Sequence, residues 1–333
     1  MSAEKPLGRS AGFAALLSMS LLLGANVVAQ TATPLPWRIE ILPVPSKTIS
    51  GGEFLRGNSA GRDVVLGGEL RLPLAMLQGK VPAVVLIHGS GGIASNADAW
   101  ARALNEVGIA AFILDTFSGR SIVSTVEDQS QLDSMAMMID AFRALDVLAA
   151  HRAIRADKIA VMGFSKGAVA AVFSSSTRFK GMHGSANTFA AHIGMYTPCN
   201  TRFADDTKVS RAPIRLFHGI ADDYVSIAPC RDFVVELKAA GADISLTEYA
   251  DSNHAFDVPT YPPLLEIKKA QSTRNCRLKE GPDGVILNAA TMVPYVLKSD
   301  PCVAVGAHIG YNPASTAAAR EAVALFLKQV LLN

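Results

Sequence analysis

The sequence predicts an α/β fold in which a mostly parallel central sheet carries helices on both faces. Short, continuous apolar runs such as residues 82–87 and 109–114 are typical of strands buried on both sides. Between such runs lie longer segments with helical periodicity, of which residues 131–151 are the clearest. Strands that alternate with helices indicate a parallel sheet. With half of its 333 residues apolar, the chain can form a sizeable core.

The sheet is expected to begin with two antiparallel strands before the parallel strands follow. Gly108 and Gly241 are predicted to end two of the helices, since glycine adopts the left-handed conformation that is common just after a helix. The predicted strands are residues 37–42, 64–72, 82–87, 109–114, 159–162, 189–195, 214–217 and 244–249. The predicted helices are residues 97–107, 131–151, 168–173, 227–240 and 315–332.

Residues 1–29 have the features of a cleaved export signal. Lys5 and Arg9 precede an apolar run at residues 11–28, and small residues up to Ala29 suit cleavage. A membrane anchor is the alternative, but the run is barely long enough to span and contains polar breaks. We expect a periplasmic or secreted protein, with residues 30–333 forming a single α/β domain and no stable membrane insertion after cleavage.

Four cysteines follow the signal: Cys199, Cys230, Cys276 and Cys302. In an oxidising compartment an even number suggests disulfides, and four cysteines allow three pairings. We expect Cys199–Cys230 and Cys276–Cys302, because each pair closes a nearby segment. A zinc site is the alternative, but no short Cys-x-x-Cys spacing is present, so no metal is predicted.

Residues 257–314 form the longest interruption, between the last predicted strand and the closing helix. The segment contains Cys276, Cys302 and several glycines and prolines, so we interpret it as an excursion held by a disulfide. Whether it covers the functional site is open from the sequence. No other stretch has the composition of a linker between domains.

Residues 158–173 have the strand–turn–helix order of a nucleophile elbow. An apolar run precedes the Gly-x-Ser-x-Gly motif at residues 163–167, and small apolar residues follow it. The two glycines leave room for a strained serine turn. A second match surrounds Ser59, but it follows no apolar strand and is interpreted as a turn. Ser165 is therefore the predicted nucleophile, and an ordinary glycine-rich connection is the alternative.

A serine hydroxyl needs a base, and His254 is the candidate because it lies in a short polar loop just after the last predicted strand. The acid should lie between the two in the chain, after another strand. Asp222 is preferred and Asp223 is the alternative. His88 and His218, beside glycines at strand ends, are expected to serve loop structure. A surface histidine and a surface carboxylate are the simpler interpretations of the pair.

An oxyanion hole would complete the site. One donor should be the backbone N–H of Lys166, directly after the nucleophile, at the start of a helix. The other is expected from the glycine-rich loop at residues 88–92, with Ser90 or Gly91 as candidates. That loop alone could equally bind phosphate. It is shorter than a P-loop and lacks Gly-Lys-Ser/Thr, so we expect no nucleotide and no other cofactor.

These stretches together resemble the α/β-hydrolase superfamily, and within it the dienelactone hydrolase family. The matching segments occur in the family's order: VVLIHGSGG, AAFILDTFSGR, KIAVMGFSKGA, RLFHGIADDYV and YADSNHAFD. The resemblance implies the α/β-hydrolase fold and places Ser165, Asp222 and His254 on the triad positions. The chain departs from the family at the elbow, where dienelactone hydrolases look as if they use a cysteine and this chain has Ser165. The export signal and the cysteine-bearing excursion are further departures.

The sequence therefore predicts an exported serine hydrolase that cleaves carboxylic ester or lactone bonds of a small molecule through an acyl-enzyme. The alternatives are a peptidase of the prolyl oligopeptidase type and a non-catalytic binding module on a hydrolase scaffold. Such peptidases usually carry a large N-terminal propeller domain, which we do not expect a chain of 333 residues to accommodate. The net charge of +2, without a basic cluster, argues against a nucleic-acid partner.

Overall fold

The computed structural model describes residues 37–73 and 79–333. The predicted export signal at residues 1–29 lies outside these ranges. Within them, no helix combines the length and the apolar character that a membrane span requires.

The strands of the described residues form three sheets. In chain order they are β1 (Trp37–Thr48), β2 (Arg62–Pro73), β3 (Val81–Ile87), β4 (Ala110–Asp115), β5 (Ile154–Phe164), β6 (His192–Met195), β7 (Thr201–Arg202), β8 (Ile214–Gly219), β9 (Ile244–Tyr249), β10 (Leu265–Ser272), β11 (Leu278–Glu280), β12 (Ile286–Asn288) and β13 (Ala304–Ile309).

The α-helices lie between these strands and after them. They are α1 (Gly51–Leu55), α2 (Ser95–Glu106), α3 (Ser134–Ala150), α4 (Lys166–Phe173), α5 (Thr177–His183), α6 (Ala228–Ala239) and α7 (Pro313–Leu327).

In the part of the chain that the structure describes, the central sheet contains eight strands in the order β1-β2-β4-β3-β5-β6-β8-β9. The pairs β1–β2 and β2–β4 are antiparallel, and every later pair in the sheet is parallel. The predicted antiparallel start and mostly parallel sheet are therefore confirmed. Because parallel strands end at one edge, the loops after β3, β5, β8 and β9 meet there.

Both faces of the sheet are buried, as β3 shows most clearly. Ala83, Val85 and Ile87 pack in one hydrophobic cluster with residues of α3, α4 and α6. Val84 and Leu86 point the other way and pack with residues of α2 and α7. Alternate side chains thus serve two cores, which explains why the strand is a continuous apolar run.

Several boundaries differ from those that the sequence predicts. The short helices α1 and α5 were not predicted, although Ser50 and Glu53 form a capping box at the start of α1. The strand predicted at 189–195 begins only at His192. The closing helix runs over Pro313–Leu327 and continues as a wider π-helical turn over Lys328–Leu332.

The excursion at residues 257–314 contains strands of its own. β10 pairs antiparallel with β13, and β11 lies between β12 and β7 in a three-stranded sheet. The disulfide Cys276–Cys302 joins two parts of the excursion, and Cys199–Cys230 joins the segment after β6 to α6. This is the pairing that the sequence analysis favours, and it leaves no free cysteine in the described chain.

Candidate active site

Ser165 lies in a sharp turn between β5 and α4. Its backbone has φ 52° and ψ −116°, a strained conformation for a residue with a side chain. The two flanking positions must be glycine, because a side chain at either would collide with the backbone. A Cβ on Gly163 would lie 2.1 Å from the carbonyl oxygen of Gly167, and one on Gly167 would lie 2.4 Å from that of His88. The turn thus has the geometry of a nucleophile elbow.

His254 bridges Ser165 and Asp222. Its Nε2 lies 2.9 Å from Ser165 Oγ, and its Nδ1 lies 2.7 Å from Asp222 Oδ2. A carboxylate at Nδ1 favours the tautomer with a proton there, so that Nε2 accepts a hydrogen bond from the serine hydroxyl. The structure therefore brings the three predicted residues together in the order that proton transfer requires.

The Asp222 carboxylate is buried and held on both oxygens. Oδ1 accepts the backbone N–H groups of Tyr224 at 2.9 Å and Val225 at 2.8 Å. Burial alone would raise the pKa of Asp222, but His254 and His218 outweigh it and hold that pKa below its usual range. The group that faces His254 is therefore an anion.

Asp223 serves a different contact. It accepts the backbone N–H and the ring Nδ1–H of His308, each at 2.8 Å, and so ties β13 to the loop after β8. His218, near the end of β8, donates from Nε2 to the carbonyl of Val225 in that loop at 3.0 Å. His88 donates from Nδ1 to the carbonyl of Gly89 at 2.8 Å, and burial lowers its pKa.

The predicted oxyanion donors belong to two segments that lie next to Ser165, the start of α4 and the glycine-rich loop after β3. Lys166 is the first residue of α4, where backbone N–H groups have no partner within the helix. The N–H groups of Ser90 and Gly91 find no acceptor within the described residues. Gly89 lies so close that a Cβ there would be 3.3 Å from Ser165 Cβ. The assignment of Ser90 or Gly91 as donor stays a prediction.

The Lys166 side chain is buried and binds Gln129 next to the glycine-rich loop, which the sequence did not predict. It is 6% exposed, and its ammonium donates to the Gln129 backbone carbonyl at 2.8 Å and to Gln129 Oε1 at 3.1 Å. Gln129 Oε1 also accepts from Ser90 Oγ at 3.0 Å. Burial lowers the pKa of Lys166 to about 8, although Asp133 and Asp128 act in the opposite direction. A lysine in an otherwise apolar stretch was the signal.

A second group that sequence reasoning missed lies behind His254. Asp257 is fully buried and accepts from Trp100 Nε1 at 2.6 Å, Tyr196 OH at 2.8 Å and Asn96 Nδ2 at 3.2 Å. The Tyr196 ring packs against the His254 imidazole, with 4.6 Å between ring centroids. This cluster fixes one face of the imidazole.

Two cavities open at Ser165. One has a volume of about 270 Å³ and the other about 80 Å³, and Ser90, Ser165 and Tyr224 line both. The excursion supplies walls to each, so it borders the predicted site. In residues 37–73 and 79–333, no cluster of His, Cys, Asp and Glu is arranged to hold a metal ion.

The sheet order and the elbow define an α/β hydrolase. The chain belongs to the dienelactone hydrolase family, whose sequence model matches residues 70–331. This membership supports an enzyme that hydrolyses ester-like bonds. No curated protein matches the chain.

Solved structures share the fold. A dienelactone hydrolase-like promiscuous phosphotriesterase from metagenomic libraries is 17% identical, with a TM-score of 0.56 over 88% of this chain and 98% of that one. A protein designated m3DLH is 19% identical, with a TM-score of 0.57 over 88% of this chain and 99% of that one.

Proposed function

We propose that the protein is an exported serine hydrolase that cleaves carboxylic ester or lactone bonds through an acyl-enzyme. The observation that carries this proposal is the hydrogen-bonded series from Ser165 Oγ through His254 to Asp222 Oδ2. Family membership supports the same class of reaction. A serine is not ionised at neutral pH, so it depends on this base more than a cysteine nucleophile would.

In the first half of the reaction, Ser165 Oγ attacks the acyl carbon while its proton passes to His254 Nε2. The carbon–oxygen bond to the alcohol then breaks, and the same proton passes from Nε2 to the leaving oxygen. Asp222 holds the imidazole in place and stabilises its charged form. In the second half, His254 takes a proton from water, the hydroxide attacks the acyl carbon, and Ser165 leaves with the proton.

The negative charge that develops on the carbonyl oxygen needs fixed donors. The backbone N–H of Lys166 and that of Ser90 or Gly91 are assigned this role, because these residues lie beside the serine and their N–H groups have no acceptor among residues 37–73 and 79–333. Removing one such donor in other enzymes costs about 10²–10³ in kcat. The dipole of α4 adds to the stabilisation, since its N-terminus points at the site.

Export is part of the proposal and rests on two features. Residues 1–29 have the three regions of a signal peptide. The two disulfides are consistent with an oxidising compartment. Expression in a bacterium with its own leader, followed by N-terminal sequencing of the periplasmic protein, tests this; a chain that still begins at Met1 would contradict it.

A p-nitrophenyl ester series tests the chemistry. Each turnover releases one coloured p-nitrophenolate, which leaves without needing a proton, so absorbance follows the reaction continuously. We expect hydrolysis by the wild type and by Ser59→Ala, whose serine lies in the second, exposed motif, and none above background by Ser165→Ala. Hydrolysis of prolyl peptide amides instead of esters would favour the peptidase alternative, and no turnover of either would favour a binding module.

A further inference from the structure

We propose that the enzyme selects esters with a bulky acyl group and a short alcohol, the acyl group occupying the larger cavity and the alcohol the smaller one. This inference rests on the proposed serine-hydrolase function. It adds which half of the ester each cavity holds, and therefore the class of substrate.

The two cavities differ in their relation to the imidazole. The small cavity, of about 80 Å³, is lined by His254 and by the glycine-rich loop Gly89–Gly92. The large cavity, of about 270 Å³, is lined by Lys166 and Val169 of α4 and does not include His254 among its walls. Ser165 borders both, so an ester carbonyl at the nucleophile directs one substituent into each cavity.

Proton transfer decides which substituent goes where. His254 Nε2 takes the proton of Ser165 Oγ and must return it to the alcohol oxygen, which requires a distance of about 2.6–3.2 Å. The alcohol oxygen therefore lies on the His254 side of the acyl carbon, at the small cavity. The acyl substituent leaves the tetrahedral carbon in the opposite direction and enters the large cavity.

The volumes set the size of each group. A cavity of about 150 Å³ holds one benzene molecule. The larger cavity therefore takes a phenyl ring with a short linker or an acyl chain of similar volume, whereas the smaller one takes an alcohol such as methanol or ethanol. The walls of the large cavity include the apolar side chains of Leu132, Val169, Phe173, Phe203 and Leu297, with Lys166 and Asp133 among the polar residues.

In each cavity, one residue of the excursion can be substituted without changing the other cavity. Ile267 of β10 lines only the small cavity, and Ile286 of β12 lines only the large one. Both side chains are half-buried, and neither takes part in the proposed chemistry. Substitutions here change the size of one cavity at a time, so each half of the assignment can be tested separately.

The experiment compares two esters of identical composition in which the bulky group changes sides. Methyl 3-phenylpropanoate has a large acyl group and a small alcohol, and 2-phenylethyl acetate has the reverse. We expect kcat/KM for the methyl ester to be at least about 10-fold higher, after division by the rates of hydroxide-catalysed hydrolysis, since even one misplaced methylene group costs about that much. Ile267→Ala should raise kcat/KM for the acetate alone, and Ile286→Phe should lower it for the methyl ester alone.

Preference for the acetate, or equal effects of each variant on both esters, would overturn the assignment while leaving the serine mechanism intact. If the wild type hydrolysed neither ester nor p-nitrophenyl acetate faster than Ser165→Ala does, both the proposed function and the assignment would be overturned. Thermal unfolding of each variant accompanies the kinetics. If Ile286→Phe does not fold, Leu297→Phe narrows the same cavity and decides the question.

Discussion

Replacing Asp222 by asparagine should abolish most activity and leave the fold intact. The asparagine carbonyl is expected to keep the two backbone hydrogen bonds from Tyr224 and Val225, which Asp222 Oδ1 accepts at 2.9 and 2.8 Å. The amide NH₂ then faces His254 Nδ1 in place of the carboxylate oxygen at 2.7 Å. Because an N–H cannot accept, Nδ1 must accept, and the imidazole proton moves to Nε2.

With its proton on Nε2, the imidazole donates to Ser165 Oγ and can no longer act as its base. We expect kcat to fall by about 10⁴, which corresponds to about 5.5 kcal/mol of transition-state stabilisation. Steady-state hydrolysis of a p-nitrophenyl ester measures it. Asp223→Asn is the matched control, because Asp223 contacts His308 and not His254, and its activity should stay within about 2-fold of wild type.

Retention of more than about a tenth of kcat in Asp222→Asn would refute this reasoning. An equal loss in Asp223→Asn would refute it as well, because it would show that the loop after β8 acts through its structure alone. Near-ultraviolet circular dichroism on both variants separates a local effect on the tautomer from loss of the fold.

Further predictions concern the elbow, the buried lysine and the excursion. Gly167→Ala should destabilise the protein by more than about 2 kcal/mol in urea unfolding, because its Cβ would lie 2.4 Å from the carbonyl oxygens of Ile87 and His88. Gly181→Ala in α5, whose Cβ would meet no atom of the described residues within 4 Å outside the backbone of its own helix, should stabilise by up to about 1 kcal/mol; equal effects would contradict the steric argument. Lys166 has a folded pKa of about 8, below the 10.5 of an exposed lysine, so between these pH values the unfolded chain binds more protons. As pH rises through this window, the free energy of unfolding of the wild type should therefore increase by up to about 3 kcal/mol relative to that of Lys166→Met. If the two free energies changed in parallel with pH, a lowered pKa of Lys166 would be excluded. Replacing Cys276 and Cys302 together by serine should cost about 3 kcal/mol and raise KM, since the bridge lies in the segment that walls both cavities; an unchanged KM would show that the excursion keeps its position without the bridge.

The central sheet could be predicted because its strands are buried on both faces. Such strands form continuous apolar runs, and β3 and β4 were placed almost to the residue for this reason. The positions of Ser165, Asp222 and His254 follow from the same logic, because each lies in the turn or loop after a strand whose carboxyl end is at one edge of the sheet.

Other features depend on contacts between distant parts of the chain. β7 has only two residues and exists because it pairs with β11, far along the sequence. Asp257 looks like a residue of a polar loop, yet it is buried because Trp100 and Tyr196 donate to it. Neither pairing leaves a periodic pattern in the sequence. The cavities likewise arise where the excursion meets the sheet edge, so their sizes could not be inferred.

The central claim is that Ser165 is the nucleophile, and covalent labelling tests it most directly. A fluorophosphonate reacts far faster with an activated serine than with an ordinary hydroxyl and forms a stable bond, and intact-protein mass spectrometry followed by peptide mapping locates it. We expect one adduct per chain, on Ser165, in wild type and in Ser59→Ala, and no adduct in Ser165→Ala. Equal labelling of wild type and Ser165→Ala would contradict the account.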